Sequence, residues 1–197
     1  MVYFRNDKYN DTRSVNEQDT GNSSGIEELV TRAINGDTTA FGELYIAYVD
    51  RIFSFVFSHY RNKQFAEDVT EEVFIKAWKA IRTCKGREDT FVAWLYKIAR
   101  NHMIDEIRKL KRRPGLDTDI IEVFAHFDNE IEGYLEQREL MMFIDKLSAN
   151  QRQVVLLKFI QGLSNEEIAQ VMGKSQGAIR IMQMRALDNL RKQMSGE

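Results

Sequence analysis

Apolar side chains return at three- and four-residue steps along three long stretches of this chain, and no segment shows convincing alternation at every second residue. Phe41, Leu44, Tyr45, Tyr48, Ile52, Phe55 and Val56 form the first line. Val69, Val73, Ala77 and Ile81 form the second, with Phe74 and Trp78 beside it. Phe91, Trp94, Leu95, Ile98, Ala99, Met103, Ile107 and Leu110 form the third. A period near 3.6 puts each set on one face of a helix, and that face must be buried. The fold class is therefore all-α.

Punctuation divides the chain. Residues 1–25 are poor in aliphatics and end in Gly21-Asn22-Ser23-Ser24-Gly25, the composition of a disordered tail. The single proline, Pro114, precedes Gly115 and ends the third helix. A linker then runs over 114–135, with Ile120, Ile121, Phe124 and Phe127 spaced for a short docked helix. The second block, 136–197, carries capping boxes at Ser148/Gln151 and Ser164/Glu167, and glycines at 162 and 173 where helices should stop. These signals predict helices near 136–147, 149–161 and 165–172, a turn at Gly173-Lys174-Ser175, and a last helix to about 193. A short helix, a glycine turn and a longer helix is the helix-turn-helix layout. Two small helical domains, 26–113 and 136–197, are expected.

The net charge of −2 hides a strong segregation. Residues 26–113 hold 16 basic and 13 acidic side chains, and residues 138–197 hold 9 and 6. Between them, residues 114–137 hold 7 acidic side chains and neither Lys nor Arg. Two mildly basic blocks joined by an acidic connector suit a polyanionic partner better than the average charge suggests.

Several function classes lose support. No apolar run reaches the roughly 20 residues that span a bilayer, and the polar N-terminus does not read as a signal peptide. Cys84 is the one cysteine, so neither an internal disulfide nor a cysteine-based metal site is expected, and a reducing cytoplasm is the simplest home. His59, His102 and His126 have no metal-ligand partner at helical spacing, so structural roles are expected and no cofactor is called for. No phosphate loop or nucleophile motif is present, so no catalysis is expected.

Three constellations remain. On the last helix, Ile179, Met182, Ala186 and Leu190 point inward against Ile168, Ala169, Val171 and Met172 of the short helix. Gln176, Gly177, Arg180, Ile181, Met184 and Arg185 then face out. Gln176 and Arg180 can reach base edges, while Lys174 and Arg185 suit phosphates. A plain helical hairpin with a solvated face is the alternative. The second constellation is acidic: Glu67, Asp68, Glu71 and Glu72 make two like-charge i,i+4 pairs, which weaken an isolated helix. Acidic residues in a first turn would favour the helix dipole and account for two of them. A face for a basic partner accounts for all four. The third runs from Lys85 and Arg87 in a polar loop to Lys97, Arg100, Asn101 and Arg108, beside Phe91, Trp94 and Tyr96. Such a ridge can track phosphates while a pocket holds unstacked bases. Core aromatics on a helix with a basic end are the alternative reading.

In that order these features resemble the sigma-70 family, in its two-domain extracytoplasmic-function (ECF) branch. Asp68-Val69-Thr70-Glu71-Glu72-Val73-Phe74 is similar to the family's D-x-x-Q-E-V-F motif. Phe91 through Asn101, with Asp105 and Arg108, is similar to F-x-x-W-L-x-x-I-A-R-N-x-x-x-D-x-x-R, and Leu147 through Arg191 to the C-terminal helix-turn-helix. The chain departs from the pattern at Glu71, where Gln is usual, and at Ala178, where Thr is frequent. The resemblance implies a subunit of RNA polymerase without catalysis of its own. Glu67, Asp68, Glu71, Glu72 and Phe74 would bind the core enzyme at the β′ clamp helices, with the β subunit also a partner. Lys85, Arg87, Lys97, Arg100, Asn101 and Arg108 would bind the promoter −10 element. Lys174, Ser175, Gln176, Arg180, Met184 and Arg185 would bind the −35 element. The acidic linker would pass through the polymerase cleft, and an anti-sigma factor would be a regulatory partner. A stand-alone helix-turn-helix regulator and a helical nucleic-acid-processing enzyme are the competing classes.

Overall fold

A computed structural model describes residues 20–85, 88–112 and 135–195 of the protein. The first block is a bundle of α1 (Thr20–Ile34), α2 (Thr38–Tyr60), α3 (Lys63–Ala80) and α4 (Glu88–Lys111), with a 3₁₀ turn at Ile81–Thr83. The second contains α5 (Leu135–Asp145), α6 (Ala149–Val155), a π turn at Leu156–Ile160, α7 (Asn165–Met172) and α8 (Gln176–Ser195). Among the described residues no strand occurs. Nor is any helix long and apolar enough to cross a membrane. The tail and most of the acidic linker, with the short helix expected around Ile120–Phe127, lie outside the described residues. One expectation shifts: α1 starts at Thr20 and not Ile26, so the polar stretch 20–25 is helical.

Caps explain the boundaries. Asp37 accepts from the N–H groups of Thr39 and Ala40 at 2.9 and 3.1 Å and so starts α2. Asn62 accepts from Phe65 N–H at 2.8 Å and starts α3. Each side-chain oxygen satisfies an orphan amide of the first turn. Between these helices Arg61 closes α2 in the left-handed region, φ 51°, which a non-glycine residue adopts only when its surroundings hold it there. Gly162 (φ +73°) and Gly173 (φ +64°) take the same conformation without that strain and end the π turn and α7.

The three periodic lines converge on one core. Leu44, Ile52, Phe55, Val56, Val73, Ala77, Leu95, Tyr96 and Ala99 are fully buried there. T-shaped contacts of Tyr48 with Phe91 and of Phe55 with Tyr96, at centroid distances of 5.4 and 5.1 Å, cross between α2 and α4. The second block has a core of its own in Ile144, Leu147, Val155, Leu156, Ala186 and Leu190. Its other apolar face does not remain separate. Val154, Leu157, Leu163, Ile168, Ala169, Val171, Met172 and Ile179 join the core of the first block, chiefly where α7 lies on α4. The inner face expected for the helix-turn-helix alone is therefore shared by both blocks.

Both described histidines have partners. His59 donates from Nδ1 to the Phe55 carbonyl at 2.8 Å, and burial, aided by nearby Arg152, lowers its pKa from 6.5 to about 4. The Lys76 ammonium donates to Nδ1 of His102 at 2.6 Å; burial first and Lys76 second hold that ring below its ordinary pKa. His126 lies outside the described residues.

Candidate functional site

Asn62 fixes where the acidic helix begins, and with it the meaning of the acidic cluster. Glu67 and Asp68 fall in the second turn of α3, and the first turn holds no acidic residue. The dipole, whose influence fades beyond the first turn, does not account for any of the four. Val69 and Val73 bury the opposite side of the helix. Asp68, Glu71 and Glu72 are exposed, Glu67 is half-buried, and Asp68 accepts from Gln64 Nε2 at 3.1 Å. Phe74 does not belong to this surface. It is 4% exposed, with its ring 4.8 Å from that of Tyr45, because it follows the buried Val73 around the helix toward α2. Sequence reasoning missed the apolar companions of the carboxylates. Ile75 of the same helix is 46% exposed, and Trp78 is 36% exposed against Phe41. Ile75 stands off the buried line of α3, and an apolar residue on an otherwise polar face is the signal that was available. Carboxylates beside exposed apolar groups have the charge and apolar surface that suit contact with basic side chains.

The basic ridge on α4 is split. Lys97, Asn101 and Arg108 lie along one exposed line, with Arg108 3.6 Å from Asp105. Lys85 is also exposed, whereas Arg87 lies outside the described residues. Arg100 is not on the open face: its Nε donates to Gln153 Oε1 of α6 at 3.0 Å. One turn earlier Tyr96, fully buried, donates its hydroxyl to Gln161 Oε1 at 2.8 Å, and burial pushes its pKa up to about 12. Positions 96 and 100 share a face that the second block covers; positions 97, 101 and 108 do not. Phe91 is core at 1% exposure, and Trp94 is partly exposed next to it.

The helix-turn-helix is fixed by local bonds. Ser164 N–H donates to Glu167 Oε2 at 2.6 Å while Glu167 N–H donates to Ser164 Oγ at 3.2 Å, the reciprocal box expected. Lys174 N–H returns to the Ala169 carbonyl at 3.0 Å across Gly173. Ser175 Oγ accepts from Ala178 N–H at 3.2 Å, so this serine also caps α8. Gln183 Nε2 bonds Asn165 Oδ1 at 3.0 Å and ties α7 to α8. Ile179, Ala186 and Leu190 are buried. Lys174, Ser175, Gln176, Arg180, Met184 and Arg185 are all exposed. Ile181 and Leu187, 49% and 44% exposed, extend the same side. A helix held rigidly at its N-terminus and presenting Gln, Arg and Met outward has the donors and apolar groups that read base edges and thymine methyls in a major groove.

The family model for sigma-70 region 2 matches residues 44–113, and that for sigma-70 region 4 matches residues 137–190. The chain belongs to the ECF branch of the sigma-70 family. It is 36% identical over 172 residues to the ECF RNA polymerase sigma factor BldN of Streptomyces coelicolor, covering 85% of this chain and 65% of BldN. It is 31% identical over 180 residues to the RNA polymerase sigma-H factor of Pseudomonas aeruginosa, covering 84% of this chain and 92% of that protein. The solved structure of CnrH in complex with the cytosolic domain of CnrY superposes with a TM-score of 0.69 at 25% identity, covering 88% of this chain and 99% of CnrH. In family terms, the acidic helix and the ridge on α4 lie in region 2, and the helix-turn-helix lies in region 4.

Proposed function

We propose that this protein is a sigma factor that binds core RNA polymerase and directs it to specific promoters to initiate transcription. The observation that carries the reading is the pairing, in one sigma-70 chain, of an acidic, apolar-edged docking face on α3 with an open Gln176–Arg180–Met184 recognition face on α8. Asp68, Glu71 and Glu72, with Glu67 at the edge, dock on basic groups of the polymerase, at the β′ clamp helices by family analogy. Phe74 supports this face from beneath.

Lys85, Arg87, Lys97, Asn101 and Arg108, joined by Arg100 once it is uncovered, engage the −10 element. The α8 face engages the −35 element, with Lys174 and Arg185 on phosphates and Gln176 and Arg180 on base edges. The connector between the blocks passes through the polymerase cleft, where its carboxylates suit walls built to hold a polyanion. An anti-sigma factor holds the protein inactive, and the site of action is the cytoplasm. We assign no chemical step to the chain, since polymerisation belongs to the core enzyme.

Run-off transcription over a promoter library, with and without bacterial core polymerase, tests the assignment. Specific starts that need both components are expected. Tight, specific duplex binding by the chain alone, with no gain on adding core, would place it instead among stand-alone helix-turn-helix regulators.

A further inference from the structure

We propose, resting on the assignment of α8 to the −35 element, that Ile181 and Met184 decide which −35 sequences are accepted. They do so by apolar contact with the C5-methyl groups of thymines on two neighbouring base pairs.

The buried residues of α8 fix the direction of its outer side. Ile179, Ala186 and Leu190 point into the core. At about 100° per residue, the line opposite them runs through Gly177, Ile181 and Met184. Ile181 is 49% and Met184 57% exposed. Exposed Gln176 and Arg180 flank this line on one side, exposed Arg185 flanks it on the other, and Lys174 precedes it in the turn. Cations at the edges suit the phosphates that wall a groove, and the middle of the face meets the groove floor. Asp188 comes next on the same line, with its Oδ1 4.0 Å from Arg191 Nη1. A carboxylate there is repelled by phosphates, so the contact ends before it. From Gly177 to Met184 the helix rises about 10 Å, the reach of roughly three base pairs.

The centre of this face therefore lacks the groups that read a hydrogen-bond pattern. Isoleucine has no donor or acceptor, and methionine has only a weakly accepting sulfur. Pressed against guanine, adenine or cytosine, these side chains would strip water from polar base edges and give nothing back. Thymine alone offers an apolar group in the major groove. Isoleucine is also a poor choice for an exposed helix position on propensity alone, so nothing within the chain accounts for it at position 181.

Gly177 supplies an independent sign of what lies against this line. It stands in the first turn of α8, and a Cβ added to it would meet no heavy atom within 4 Å. Its φ lies outside the left-handed region, so neither backbone nor packing calls for glycine. Alanine would make the better helix. The space is used from outside, by a base edge or sugar that comes close to the helix backbone.

The test uses the full chain with core polymerase on the strongest promoter from the run-off library. Each thymine of its −35 element is replaced in turn by deoxyuridine, which keeps every hydrogen-bonding group and removes only the methyl. At two neighbouring base pairs, on either strand, this should lower the frequency of starts at limiting protein roughly fourfold each, the worth of one buried methyl group. Ile181→Ala should erase the difference at one of these pairs and Met184→Ala at the other, with helix content by circular dichroism unchanged. Gly177→Ala should move stability and recognition in opposite directions. Its melting temperature should rise by about 1–4 °C. Its starts should fall roughly tenfold, near the cost of one mismatched base pair. Equal starts on thymine and deoxyuridine templates would overturn the proposal, as would a −35 element without neighbouring thymines. Alanine variants that lose core binding but keep the methyl effect would overturn it too, and make the line a protein contact. A stabilised Gly177→Ala protein with undiminished starts would refute the close approach. Core-dependent starts without a methyl effect would leave the sigma-factor assignment standing, whereas no core-dependent start from any library member would refute that assignment and this contact with it.

Discussion

Reversing one charge, Asp68→Arg, separates the docking role of α3 from its structural role. Asp68 is exposed, and its carboxylate accepts a single-turn bond from Gln64 at 3.1 Å. Losing a surface bond of this kind changes stability by no more than about 0.5 kcal/mol. An arginine here also relieves the repulsion between positions 68 and 72 and replaces it with an i,i+4 attraction of a few tenths of a kcal/mol. The two effects offset each other, so the melting temperature should move by no more than about 2 °C. Docking responds differently. Breaking a close charge pair at an interface costs about 2–5 kcal/mol, and reversal adds repulsion. Affinity for core polymerase should fall at least about 30-fold. Asp68→Asn should lie between the two proteins, and its difference from wild type should shrink as salt is raised. Fluorescence anisotropy of labelled protein titrated with core, across a salt series, provides the measurement. An Asp68→Arg protein with wild-type affinity and salt dependence would refute the docking face, whatever became of promoter recognition.

Arg180→Ala should weaken recognition of the −35 element by about 1–3 kcal/mol at one base position, read as a relaxed preference in transcription from −35 variants. An equal loss on every sequence would instead make Arg180 a phosphate contact. Ser164→Ala removes the acceptor for Glu167 N–H and should lower stability by about 1 kcal/mol, or roughly 2–4 °C in melting temperature; Ser164→Asp should restore most of it. Acid should destabilise the fold through His59. Its pKa is about 4 when folded and 6.5 when free, so the unfolded chain takes up the proton first as pH falls. No effect is expected above about pH 6.5, a growing loss below it, and a plateau below about pH 4, totalling about 3 kcal/mol. His59→Leu should flatten the part of the pH–stability curve between those limits, as followed by urea denaturation.

The helices and their ends were legible because each is announced locally. The buried lines through Leu44, Val73 and Leu95, the box at Ser164/Glu167 and the glycine at 173 all act within a few residues of themselves. The exposed recognition face followed from the same periodicity. What escaped depends on residues far apart in sequence. Gln153 and Gln161 carry no local signal of burial, yet both are buried because the other block supplies their partners. Arg100 read as part of an open ridge for the same reason. Phe74 carried the motif but faces the core, since its position on α3 follows Val73 toward Tyr45. The acidic cluster read partly as a dipole effect because the Asn62 cap was not recognised as the start of α3.

The central claim is that two separate parts of this chain read DNA only in the company of core polymerase. Footprinting on a promoter selected in the run-off assay tests it directly. With core and chain together, protection should cover both the −10 and −35 elements, and the chain alone at the same concentration should protect neither. The same double footprint from the chain alone would contradict the account.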